Sequence, residues 1–71
     1  MDNMNIVNIM WDDEAKVWIA ICDGLGIALE SESYDKLIQR VINAAPEMAE
    51  LNHADCSELV FFTQNRQYVY A

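Results

Sequence analysis

The sequence predicts an α+β fold, a two-layer sandwich in the order β-β-β-α-β with one helix over a small, mainly antiparallel sheet. Three observations predict it. Short apolar runs with a period of two fill the first thirty residues and are broken by Asp- and Gly-containing turns. The period then changes to 3.6 behind a serine. A last run rich in Val and Phe closes the pattern.

The elements follow in order. Asn5–Trp11 reads as a strand, because Val7, Ile9 and Trp11 alternate with Asn8 and Met10. Asp12–Ala15 reads as a turn, where Asp is favoured. Lys16–Cys22 reads as the second strand, rich in Val, Ile and Trp. Two strands joined by so short a polar loop form a hairpin. Its register stays open, since the loop counts either three or four residues. Asp23-Gly24-Leu25-Gly26 is a second turn and holds the only two glycines of the chain. Ile27–Glu30 is too short for a helix and reads as a third strand.

Ser33 is a good helix N-cap, and Asp35 sits in the first turn, where the dipole favours an acid. Tyr34, Leu37, Ile38, Val41, Ile42, Ala45, Met48, Ala49 and Asn52 recur at helical spacing. Leu37, Ile38, Val41 and Ile42 are therefore expected to face the sheet. Pro46 removes one backbone donor, and since the stripe continues in phase beyond it, a kink is expected rather than a break. Asn52 and His53 end the helix. Glu58–Thr63 is the fourth strand, and residues 66–70 either extend it or fold back as a fifth.

A chain of 71 residues makes one domain, covering residues 1–71. So short a domain is marginal by itself and gains from a partner subunit. Twelve acidic against four basic residues give a net charge of −8, which disfavours phosphate backbones and suits a basic partner or simply solubility. No apolar run is long enough to cross a membrane as a helix. The start, MDNMNIVNIMW, lacks the basic n-region of a secretory leader, so a cytoplasmic location is expected.

Catalytic readings of the polar residues are poor. Asp12, Asp13, Glu14 and Asp23 offer carboxylates, but two-metal chemistry needs oxygens converging within about 4 Å, and adjacent turn residues splay outward. His53 belongs to a helix end, with no nucleophile and third group beside it in sequence. Cys22, Cys56 and His53 lack the paired spacing of a zinc site, and Cys22 reads as a small core residue. No catalytic residue, metal or cofactor is expected. The more informative feature is Val17–Cys22, apolar on both faces, whereas one helix covers only one face of a sheet. The second face then meets a protein surface or is covered by a tail.

The stretch KVWIAICDGLGIALESESYDKLIQRVINAAPEMAELN resembles the HicB-like antitoxin family, in particular its short branch of stand-alone domains. The parallels are an aromatic strand before an Asp-containing turn (Trp18 to Asp23), Gly26, a polar cap (Ser31, Ser33) and a helix opening with Tyr34, Asp35 and Leu37. The helix end AAPEMAELN and the terminal strand add to it. The usual proline of the turn is replaced by Gly24-Leu25. The resemblance implies a partial ribonuclease-H-like fold without nuclease chemistry, and the role of an antitoxin domain that blocks a small basic mRNA-cleaving toxin. Longer members often carry a C-terminal DNA-binding module, which the sequence to Ala71 does not contain, so a regulatory DNA-binding role is not expected; the net charge of −8 separately disfavours direct nucleic-acid binding. The combined expectation is a non-catalytic, homodimeric protein-binding domain. Trp11 and Trp18 would anchor an interface, and Asp12, Asp13, Glu14, Asp23, Glu30 and Glu32 would steer a basic toxin. An orphan homodimer of the same fold without a toxin, and a divergent metal nuclease, are the alternatives.

Overall fold

A computed structural model describes residues 4–54 and 58–64. Strands β1 (Met4–Asp12), β2 (Val17–Cys22), β3 (Ile27–Ser31) and β4 (Glu58–Thr63) form one sheet in the order β3-β2-β1-β4. Helix α1 (Tyr34–Leu51) lies between β3 and β4 in sequence. The element order is the expected one, and β4 has the expected bounds. The sheet is mixed: β1 pairs antiparallel with β2 and parallel with β4, so the chain after β3 must cross the sheet before β4 can pair. The strand proposed over residues 66–70 lies outside the described residues.

The hairpin register follows from the pairs Trp11↔Trp18 and Asp12↔Val17, which leave a four-residue loop. Asp12 builds that loop: its Oδ1 accepts the backbone N–H of Glu14 at 3.0 Å and of Ala15 at 3.2 Å. Lys16 closes it in the left-handed region at φ 59°. The second turn is a single 3-10 turn, Asp23–Leu25, ended by Gly26 at φ 66°. Only a residue without Cβ enters that region freely. Gly24 is small for another reason, since a Cβ there would stand 2.9 Å from Asn5 Oδ1.

Ser33 caps α1, its side chain accepting the Lys36 N–H at 3.4 Å. The helix runs through Pro46 to Leu51, with Ala45 and Ala49 buried on either side of the proline. Its C-terminus is a Schellman motif: Ala54 N–H bonds Ala49 O at 2.8 Å, and His53 N–H bonds Glu50 O at 3.3 Å. His53 takes the left-handed position of that motif at φ 53°, where glycine is usual. Asn52 fastens the same end to the second turn, its Nδ2 donating to Leu25 O at 3.1 Å and Met48 O at 2.9 Å. The polar end of the apolar stripe is thereby explained.

The core lies between α1 and one sheet face: Val7, Ile9, Ala20, Cys22, Leu25, Ile27, Leu37, Val41, Ala45 and Ala49. Ile42, expected in that layer, is instead 42% exposed. The burial of Leu37, Val41, Ala45 and Ala49 sets the centre of the stripe, and a residue one past Val41 stands about 100° round the helix from it. Ile38 packs against the core only partly buried.

Candidate protein-binding surface

Strand parity assigns side chains to faces. Directly paired residues share a face. Val7, Ile9, Ala20, Cys22 and Ile27 are buried under the helix, so their alternates point the other way. The large apolar alternates are Ile6 and Met10 on β1, Val17, Ile19 and Ile21 on β2, and Val60 and Phe62 on β4, with Asn8 between them. Ile6 is 48% and Phe62 59% exposed. No described element covers this face. The two-faced apolarity of β2 therefore extends to β1 and β4, where sequence reasoning did not look. The signal was present in Ile6 and Met10, which are apolar on the parity opposite to Val7 and Ile9.

Three carboxylate residues share the helix-free face: Asp12 on β1, Glu30 on β3 and Glu58 on β4. The basic residues that are described sit elsewhere, Lys16 in the hairpin loop and Lys36 and Arg40 on α1. Arg40 reaches the sheet edge, its Nη1 donating to Glu30 O at 2.6 Å. It thus occupies an acceptor on β3, an edge strand that would otherwise offer it to another chain.

The eight candidate residues divide into two groups and an outlier. Trp11, Asp13, Glu14 and Trp18 gather at the hairpin end, with Glu32 in the bend after β3, since Trp18 pairs with Ser31. Both tryptophans are on the helix side of the sheet, not on the helix-free face. Asp12 and Glu30 belong to the helix-free face. Asp23 stands at the other end of β2, five residues and about 17 Å from Trp18, and does not join the rest. Tyr34 and Thr63 belong with the tryptophans and were missed. Trp11 and Trp18 pack at 5.2 Å with planes at 59°, Trp18 and Tyr34 edge to face at 5.1 Å. Tyr34 Oη and Thr63 Oγ1 share a hydrogen bond of 2.7 Å. That contact spans 29 positions, and sequence spacing carries no sign of it.

The hydrogen bond from Lys16 Nζ at 3.0 Å, helped by the Trp11 indole N–H at 3.4 Å, holds the Asp13 carboxyl below the ordinary value. Cys22 is buried in the core, whereas Cys56 lies outside the described residues. Among the described residues no three His, Cys, Asp or Glu side chains converge on a metal position. No described helix is long and apolar enough to cross a membrane.

The profile of the family described as Domain of unknown function (DUF1902) matches residues 4–70. The chain belongs to this family. Among solved structures, this DUF1902 domain is similar to the hypothetical protein TTHA1013 from the extremely thermophilic bacterium Thermus thermophilus. The two share 28% identity with a TM-score of 0.76, over 94% of this chain and 99% of the other. No curated protein matches the sequence.

Proposed function

We propose that this DUF1902 domain is a cytoplasmic, non-catalytic protein-binding module of HicB-like, partial ribonuclease-H-like fold, which neutralises a small basic RNA-cleaving toxin. The observation that carries the reading is the helix-free sheet face. It joins seven apolar side chains across three strands to a border of Asp12, Glu30 and Glu58. Contiguous apolar surface of this kind marks an interaction site. The acid border selects a cationic partner and speeds its approach. Stacking two copies through the same face would oppose like charges, so the face is assigned to the partner. The element order β-β-β-α-β and the resemblance of the cap-and-helix segment support the fold assignment.

A second copy joins elsewhere, through the outer edge of β4. Val60, Phe61 and Phe62 give that strand high β-propensity, and its outer side has no neighbour among the described strands. The opposite edge is guarded by Arg40. This pairing would make a closed two-fold dimer, the commonest form of small assembly.

The test is a translation extract dosed with a small basic RNA-cleaving protein. Added DUF1902 domain is expected to restore translation at equimolar ratio, and Ile19→Lys protein is not. Restoration by both proteins alike, or RNA cleavage by the domain itself with magnesium or manganese, would overturn the assignment.

A further inference from the structure

The aromatic group at the hairpin end is independent of the helix-free face, and it is built more tightly than a solvated turn requires. Trp11 is 41% exposed. Trp18 packs against it at a tilted angle, and Tyr34 stands edge to face against Trp18, both half-buried. The Tyr34–Thr63 hydrogen bond ties the innermost ring to β4. An exposed indole is thereby held in one orientation by the rings behind it, so little side-chain freedom remains to be lost on binding. Beside it Asp13 accepts from the indole N–H and from Lys16. The Lys16–Asp13 pair is open to solvent, at 69% and 84% side-chain exposure. An exposed ion pair of this kind is weak and exchanges readily. Lys16 shows that a cation is accommodated at the carboxylate next to the indole, while its own hold there is slight.

We propose that this hairpin end is a receptor for one arginine side chain of a protein partner, which stacks on Trp11 and displaces Lys16 from Asp13. Arginine is favoured over lysine because its planar guanidinium stacks on an aromatic face and grips a carboxylate with two parallel donors. Indole is the best aromatic acceptor for a cation. Glu14 and Glu32 lie at the same end of the sheet and add attraction without contact. The proposal rests on the protein-binding reading and adds to it a second contact point, on the helix side of the sheet.

The test uses the full chain and two probes, amidated hexa-arginine and amidated hexa-lysine, at low salt. Binding is followed by tryptophan fluorescence and by the two indole N–H signals in nitrogen-15 NMR spectra. Hexa-arginine is expected to move the Trp11 indole signal first and to bind more tightly than hexa-lysine. Trp11→Leu should weaken hexa-arginine by about two- to fivefold, the effect of an exposed cation–π contact. Lys16→Gly, which removes the internal competitor and suits the left-handed backbone there, should strengthen it. Equal affinity of hexa-arginine for the parent, Trp11→Leu and Lys16→Gly proteins would overturn the receptor. In that event, weaker binding by a Glu30→Gln, Glu58→Gln double variant leaves the basic-partner reading standing, and unchanged binding removes it as well.

Discussion

Leu37→Ala tests the packing of α1 most sharply. Leu37 is fully buried in the layer between helix and sheet, where no polar residue is buried among the described residues. Truncation removes the transfer energy of three carbons and leaves a cavity, and such changes cost about 2–5 kcal/mol. A domain of this size has little stability to lose, at roughly 0.05–0.15 kcal/mol per residue. Each kcal/mol lowers the melting temperature of so small a domain by about 4–8 °C, so a fall of at least about 8 °C is expected. Ile42→Ala is the internal reference. Ile42 is 42% exposed, and its truncation should cost less than about 1 kcal/mol. Ile38→Ala should fall between the two, since Ile38 is only partly buried. Thermal melts by far-ultraviolet circular dichroism measure all three. A fall for Ile42→Ala as large as that for Leu37→Ala would mean that the helix is turned about its axis relative to the arrangement described here.

The remaining predictions concern backbone and charge. His53→Gly should raise the melting temperature, because the left-handed position that closes α1 costs a non-glycine residue about 1 kcal/mol; an unchanged melt would refute the strain argument. Pro46→Ala should stabilise by roughly 2 kcal/mol, restoring the missing helix donor at about 3 kcal/mol against a gain of up to about 1 kcal/mol in unfolded-chain entropy; a loss of stability would show that the proline is required by packing. Asp13 has a folded pKa below its unfolded one, through Lys16 first and Trp11 second. Its contribution is therefore present above the unfolded value of about 4 and disappears as pH falls through the folded value. Parent protein should lose more melting temperature than Asp13→Asn between about pH 5 and pH 2, and parallel losses would show that the Lys16 contact is not made in solution.

Much of the fold was legible because local signals agreed with it. Val7 and Ile9 recur at the strand period, Ser33 caps where the period changes, and β4 spans its apolar run with Glu58 and Thr63 at either end. Ile42 was misplaced because a stripe read as i, i+3, i+4 is wider than the strip a four-stranded sheet buries. His53 stands at the helix end as expected, but in the left-handed position at φ 53°, where glycine is usual and no propensity scale places a histidine. The parallel pairing of β4 with β1, and the Tyr34–Thr63 contact that depends on it, arise from a crossover and carry no local signature. For the candidate surface, apolarity on both faces of β2 pointed to an interface, but only the register with β1 and β4 shows its extent. The tryptophans drew notice by residue type, yet the register separates them from that face.

The central claim is that a basic protein docks on the helix-free sheet face. Isoleucine methyl groups report on it directly, because they divide among surfaces: Ile6, Ile19 and Ile21 on that face, Ile9 and Ile27 in the core, and Ile42 on the outer side of α1. Cross-saturation from an unlabelled small basic RNA-cleaving protein to a methyl-labelled DUF1902 domain distinguishes them. The account predicts intensity loss at Ile6, Ile19 and Ile21, with Ile42 unaffected. Loss at Ile42 with the three sheet methyls unchanged would contradict it.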